Sequence, residues 1–347
     1  MVGELGRLGQ GLAPDAAAGA PAAHLNEPLV APRYFTLTVP ATSANLGPGY
    51  DTAGLALDLR DTIEVQASPR RDPDRAEVAV TVTGEGSSDL PADASHLVIS
   101  VVERILAAKG FALPDMHVTA HNVIPHSRGL GSSAAAIATA VVTADQLLPD
   151  GLSADEQLQI GSRIEGHPDN YVPALRGGVS IAWHAGEDSN GASVFRAAAL
   201  RHHPELRCVV AVPDFVQSTQ TARDLLPVQI PHGTAAKNSS RAALLTHALT
   251  EAPELLLDAT EDFLHQEYRR QAFPASMALL DSLRQAGYAA VISGAGPAVL
   301  VLTTRAEATA VAEHIRSWDA EQTTPKTFTA RNLPIARSGA TVETHQR

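Results

Sequence analysis

The run Pro125-His126-Ser127-Arg128-Gly129-Leu130-Gly131-Ser132-Ser133-Ala134-Ala135 gathers glycines and hydroxyls where an Ala-rich helix begins. Glycine lets a ligand come close to the backbone, successive N–H groups form an anion nest, and the helix N-terminus adds partial positive charge. The chemistry this suits is phosphate binding. Ser132 and Ser133 are placed to cap the helix and to offer hydroxyls to a phosphate or to Mg²⁺, and Ala134 to Ala136 let the helix start pack closely. Gly129, Gly131 and Ala134 also satisfy a loose dinucleotide fingerprint. However, Pro125 and three more residues separate Gly129 from the preceding strand, and a second helical stretch follows where a strand ending in an acid is needed. The phosphate loop that ends in Gly-Lys-Ser/Thr is excluded, because the chain has no Gly-Lys pair.

Two further segments are rich in turn residues. Val39 to Asp51 (VPATSANLGPGYD) is a tight polar turn in which Asn45 offers an amide and Asp51 a carboxylate, with Gly47 and Gly49 between them to fold the loop over a small ligand. Asn and Asp also serve turns as local hydrogen-bonders. Ser293-Gly294-Ala295-Gly296-Pro297 links two short apolar strands and reads by itself as a hairpin turn.

The elements that must position these loops alternate along the chain. Phe35, Leu37 and Val39 share one face of a strand that Pro40 is expected to stop, and further strands are expected at 62–67, 77–83 and 116–124. Apolar residues at helical spacing predict a helix over 94–109, and the Ala-rich helix spans 132–148. Ser153 and Glu156 form a capping box for the next helix. Later strands are expected at 179–183, 207–212, 288–292 and 298–303, with helices at 219–226, 235–249, 274–286 and 305–317. The pattern is α+β, split near residue 190. Residues 1–33, rich in Ala, Gly and Pro, read as a disordered tail without the features of a secretory signal, and 336–347 as a second tail.

At 347 residues the chain has room for about two domains and needs no disulfide or metal staple. Its net charge of -12 and 4% aromatic content argue against a nucleic-acid partner, which would need cations and stacking platforms. The single cysteine, Cys208, sits in an apolar run and reads as a buried, inert thiol. The longest apolar stretch, Ala134 to Val142, is broken by Thr139 and is far too short for a membrane span. A cytoplasmic enzyme or binding protein, with no membrane partner, is the expectation.

Together the three loops resemble those of the kinase superfamily named for galactokinase, homoserine kinase, mevalonate kinase and phosphomevalonate kinase. The run at 40–51 is similar to the substrate-side motif of the homoserine kinases, 125–135 to the superfamily's ATP loop, and 293–297 to its third motif. Glu165-Gly166-His167-Pro168-Asp169-Asn170, Thr219 with Arg223, Asn238 with Arg241, and His265 with Tyr268-Arg269 extend the resemblance over about residues 34–335. Tyr50 where phenylalanine is usual, Tyr171-Val172, and Phe273 before Pro274 depart from the pattern. The resemblance implies a β-rich N-terminal ATP-binding domain (ribosomal protein S5 domain 2-like), 34–190, and an α+β ferredoxin-like C-terminal domain, 191–335.

It also implies the site. The loop from Pro125 to Ala135 would wrap ATP, and Ser133 or Ser132 with Glu165 would hold Mg²⁺, a hard cation that prefers oxygen ligands. The implied acceptor, L-homoserine, is zwitterionic at its α-carbon. Arg223 and Arg269 would grip its carboxylate through planar forks, Asp51 would pair with the ammonium and Asn45 would meet the hydroxyl. Thr219, four residues before Arg223, would share its helix face. His167 joins the substrate side as a hydrogen-bonder rather than a general base. Asn170 stands where related kinases have an aspartate, and an amide cannot take a proton; Asn170 and Arg223 would therefore orient the reactants for direct attack. The rivals are a kinase of the same fold for another small hydroxylated acid, a nucleotide or amino-acid binding protein without turnover, and a dehydrogenase. A homodimer is compatible with the sequence.

Overall fold

The structure, a computed structural model, describes residues 25–216, 219–323 and 327–345, with the backbone alone at 219–221. Two sheets organise it. The first takes β1 (Arg33–Ala44), β2 (Ala53–Ser68), β3 (Val78–Gly84) and β4 (Asp115–Asn122), with β11 (Thr341–His345) on its far edge, in the order β11-β1-β2-β4-β3. The hairpin of β5 (Val179–Glu187) and β6 (Ser193–Leu200) joins it through β2. The helices α1 (Leu97–Ala108), α2 (Ser132–Leu147), α3 (Ala154–Glu165) and α4 (Pro168–Arg176) belong to this half.

β1 shows the expected alternation, with Phe35, Leu37 and Val39 buried. Pro40 does not end it. The pairing register with β2 jumps there from Pro40↔Arg60 to Ala41↔Leu57, and a bulge of this kind is where a strand tolerates a residue without an N–H. The strand therefore runs on to Ala44 and delivers the polar turn at its end. Likewise, the apolar run at 53–57 and the strand expected at 62–67 are one strand, β2.

The second sheet has β7 (Leu206–Pro213), β8 (Ala289–Ile292), β9 (Val299–Thr304) and β10 (Phe328–Leu333) in the antiparallel order β10-β7-β9-β8. Helices α8 (Pro274–Gln285) and α9 (Ala308–Ala320) complete a ferredoxin-like βαββαβ frame. Inserted after β7 are α5 (Thr219–Asp224), α6 (His232–Thr250) and α7 (Leu256–Ala259). Both faces of this sheet are covered, which is why β7 is apolar without a break from Cys208 to Pro213. Val209, Ala211, Ile292 and Val301 pack against α8 and α9, while Cys208, Val210, Leu300 and Leu302 face the core shared with the first sheet. Burial pushes the Cys208 thiol up to about 12, so it is inert as expected.

The boundaries differ from those read in the sequence. β6 lies beyond the split read near residue 190 yet belongs to the first sheet, and the second sheet begins with β7 at Leu206. The stretch expected as a second tail contains β11, paired with β1 from Tyr34↔His345 to Thr38↔Thr341. Of the segment expected as an N-terminal tail, residues 1–24 lie outside the described residues. The rest is anchored at a few points and otherwise exposed: the Asn26 N–H donates to the Gly110 carbonyl at 3.0 Å, its carbonyl accepts from Ala112 N at 2.8 Å, and Leu29 is buried.

Candidate active site

Three loops meet between the sheets. β1 ends in a turn whose Asn45, Leu46 and Asp51 all have positive φ, a conformation that must be held in place. Asn45 does much of the holding: its Oδ1 accepts from Asp51 N at 2.9 Å, and its Nδ2 donates to the Gly294 carbonyl at 2.8 Å. The amide expected to meet a substrate hydroxyl thus keeps one N–H to offer. From the other side, Asn238 on α6 donates to Pro48 O at 2.9 Å, and the His265 ring lies 2.9 Å from Gly47 O.

The glycine-rich loop is wedged between β1 and the β8–β9 turn. Thr42 N donates to Leu130 O at 3.1 Å, and Ala298 N to Arg128 O at 3.1 Å. Ser293 Oγ lies 2.5 Å from the Gly129 carbonyl oxygen and 2.8 Å from Ser43 Oγ. A carbonyl only accepts, so Ser293 donates to Gly129 and takes a hydrogen bond from Ser43. Gly129, at φ +77, leaves no room: a Cβ there would meet Ser293 O at 2.3 Å and Gly296 O at 2.9 Å. What reads by itself as a hairpin turn is therefore a wall of the glycine-rich loop.

The cap of α2 differs from expectation. Gly131, in the left-handed region, is the N-cap, and neither Ser132 nor Ser133 caps the helix. Ser133 Oγ instead donates to Glu165 Oε2 at 3.1 Å. Glu165 arrives at the last residue of α3, whose Ser153–Glu156 capping box forms as read from the sequence. Burial pushes the Glu165 carboxyl up, against the lowering effect of His167 and the Ser133 hydroxyl. A carboxylate disfavoured by burial and a serine hydroxyl, both oxygen donors beside the glycine-rich loop, suit a hard divalent cation such as Mg²⁺.

Glu165 leads through Gly166 and His167 into α4, a helix hidden in the sequence by Pro168 and Pro173. Pro168 sits at N1, where its missing N–H costs nothing. α4 lies so close to β2 that a Cβ at Gly54 would meet Asp169 O at 1.8 Å. Asn170 Oδ1 accepts from Thr42 Oγ1 at 2.8 Å, which leaves the NH₂ as the group Asn170 can offer. His167 Nδ1 donates to Asp169 Oδ1 at 2.8 Å. Burial opposes charge on this ring, but the hydrogen bond and charge of Asp169 and the charge of Glu165 outweigh it and raise the His167 pKa. One ligand atom each from Asp51, His167 and Asp169 lies within 4.8 Å of the others. Asp169, 2% exposed, is a site residue that the sequence reading did not single out.

Arg223 on α5 pairs with Asp51, Nη2 to Oδ1 at 3.1 Å. Burial raises the Asp51 pKa, and Arg223 pulls it back down. Arg269, 1% exposed, donates from Nε to Ala222 O at 3.0 Å and lies with Cζ 5.7 Å from the centre of the Tyr50 ring. The side chain of Thr219 lies outside the described residues.

A cavity of about 920 Å³ joins these groups. Ser127, Gly129 to Ser133 and Ala135 line its middle, whereas Pro125 and Ala134 are buried behind the wall. Arg128 does not line the cavity; its guanidinium is turned away, donating to Pro213 O at 2.9 Å and Asp214 O at 3.1 Å, across to the second sheet. One end of the cavity carries Asp51, Asp169, Arg223 and Arg269; the other is mainly apolar, with Ile63, Leu97, Val98, Val118 and Ala120, and has His96 and Asn122 among them. An apolar wall with a few polar groups suits a flat, largely apolar ring. In the sequence it is indistinguishable from core.

Residues 96–178 match the family described as GHMP kinases N terminal domain, and 240–320 match GHMP kinases C terminal. A homoserine kinase of Rhodococcus opacus is 45% identical over 290 residues, 81% of this chain and 90% of that protein. One from Mycolicibacterium vanbaalenii is 46% identical over 276 residues, covering 78% and 85%. The crystal structure of a homoserine kinase from Cytophaga hutchinsonii superposes with a TM-score of 0.74 at 23% identity, over 89% of this chain and 97% of that one, and shows the same fold.

Proposed function

The chain belongs to the GHMP kinases and, among them, to the homoserine kinases, and on that premise we propose how its residues divide the transfer of a phosphoryl group from ATP to L-homoserine. The activity is an ATP-dependent phosphorylation of the homoserine side-chain hydroxyl, giving O-phospho-L-homoserine in threonine biosynthesis.

The observation that carries the assignment of roles is the charged end of the cavity. Asp51 and Asp169 lie beside Arg223 and a buried Arg269, the complement of a zwitterionic amino acid. Arg269 takes the carboxylate, and Arg223 reaches it from the solvent side. The ammonium takes Asp51, releasing Arg223 from its ion pair, and His167 keeps Asp169 oriented behind it. Thr219 is assigned to the same end from its place four residues before Arg223.

ATP lies along the cavity with its base at the apolar end and its phosphates over Gly129 to Ser133, where backbone N–H groups and the α2 N-terminus meet their charge. Ser133 and Glu165 would hold Mg²⁺, which supplies neutralisation of phosphate charge. The homoserine hydroxyl oxygen attacks the γ-phosphorus in line, the bond to the β–γ bridging oxygen breaks, and the hydroxyl proton passes to a phosphate oxygen. Asn170 donates its NH₂ to the reacting oxygens, and Arg223 stabilises the charge they develop. The reaction belongs in the cytoplasm, where ATP is made available. A coupled assay of ADP release with homoserine, threonine, serine and mevalonate tests the reading: turnover strongest with homoserine is expected, and ATP turnover with none of them overturns it.

A further inference from the structure

His265 is fully buried and bridges the turn that bears Asp51 to the Arg269 guanidinium. One ring nitrogen, Nε2, lies 2.9 Å from Gly47 O and 3.5 Å from Asp262 Oδ1. Both are acceptors, so Nε2 carries the hydrogen. The other, Nδ1, lies 3.1 Å from Arg269 Nη1, and a guanidinium only donates, so Nδ1 presents its lone pair. The tautomer is therefore fixed from both sides. A second proton would set N–H against N–H beside a buried cation. The ring is held in turn by Asp262, whose Oδ2 accepts from His265 N at 3.0 Å and Gln266 N at 2.7 Å, and by Tyr50, 5.2 Å away between ring centres.

Gly47 belongs to the turn that bears Asn45 and Asp51, whereas Arg269 belongs to the segment before α8. Resting on the homoserine reading above, we propose that His265 is a positioning residue for substrate selectivity. As a neutral ring it holds the Arg269 guanidinium at a set distance from the turn carrying Asp51, and so favours a substrate with carboxylate and ammonium on one carbon. It touches no reacting atom and acts through Arg269.

Two substitutions split the ring's functions. In His265→Gln the side-chain NH₂ can replace Nε2–H toward Gly47 but nothing accepts from Arg269; in His265→Asn the Oδ1 replaces Nδ1 toward Arg269 and the bond to Gly47 is lost. Wild type and both variants are assayed with L-homoserine and with its amide, which keeps the ammonium and hydroxyl but has no carboxylate. For His265→Gln the kcat/KM preference for homoserine over the amide should fall about 10- to 100-fold, mostly through the KM for homoserine, with the KM for ATP changed by no more than about threefold. His265→Asn should recover most of that preference. Equal losses for both substrates, or equal behaviour of the two variants, would overturn the proposal. A wild-type enzyme that phosphorylates neither compound would overturn the homoserine reading itself, and the proposal with it. Should the variants not fold, ¹⁵N-histidine spectra of the wild-type chain decide the tautomer: a buried neutral ring protonated at Nε2 is required, and a charged or Nδ1-protonated ring at His265 rules the proposal out.

Discussion

Arg269 and Arg223 share an end of the cavity but keep different company, and their variants should differ accordingly. Arg269 is buried among neutral acceptors, so Arg269→Ala removes the partner for a desolvated carboxylate. A loss on the order of 2 to 4 kcal/mol should raise the homoserine KM about 30-fold to several hundredfold and leave the ATP KM nearly unchanged. Arg223 is already spent on Asp51 and faces solvent more, so Arg223→Ala should lower kcat as well as affinity. Steady-state constants for both substrates check this. At the other end of the phosphate path, Glu165→Gln should lower turnover and raise the Mg²⁺ concentration needed for half activity, with the homoserine KM changed little; a Mg²⁺ titration reads it. Arg223, Arg269 and Glu165 lie on helical segments, where a charged side chain reads as surface, and they were legible only through the family resemblance. Asp169 was less so, since nothing in an isolated carboxylate says that His167 will fold back onto it. The apolar end of the cavity was illegible for a simpler reason: Ile63, Val98 and Val118 face a ligand with the same chemistry that they would turn toward a core.

At the scale of elements, the glycine-rich loop is held by backbone contacts to the β8–β9 turn, which makes Gly129 a joint between two halves of the chain. Gly129→Ala should force that joint open, because the atoms its Cβ meets are carbonyl oxygens that cannot swing aside. Weaker ATP binding by at least about tenfold, measured by calorimetry, is expected, alongside a lower melting temperature. Helix α1 carries a different sensitivity. Its N-cap is His96, whose Nδ1 accepts from Val98 N at 3.3 Å. Burial, reinforced by His126, pushes the His96 pKa below its ordinary value of about 6.5. Below that pH the unfolded chain binds a proton that the folded ring refuses, so stability is full above about 6.5 and falls as pH drops toward the folded value. Melting temperatures from pH 7.5 to 5.5 should decline less for His96→Asn, a cap that cannot titrate. Most elements could be read from periodicity. β6, with three consecutive alanines, and β11, exposed along most of its length, could not, because pairing partners rather than side-chain pattern make them strands. α4 was concealed by prolines that its first turn and its packing tolerate.

For the whole molecule, one core runs through both sheets, so the two halves read in the sequence share their apolar interior. The segment leading into β1 is part of it. Removing residues 1–32 takes away Leu29 and the two backbone bonds of Asn26, and should lower the melting temperature by about 5 °C, with kcat of the folded enzyme unchanged. Calorimetry on the truncated chain checks it. The α+β organisation was legible from the order of strand and helix patterns; the return of the chain to the first sheet at its far end was not. That return has a consequence for biosynthesis. Thr36 Oγ1 and His345 Nε2 meet at 2.8 Å although 309 residues separate them. On the ribosome, at about 5–20 residues per second, β1 must wait at least about 15 seconds for the strand that covers its edge. Throughout that interval the nascent first half presents an open row of backbone donors and acceptors, a template for wrong pairing with neighbouring chains. Crowding of polysomes should therefore lower how much of this protein is recovered in soluble form.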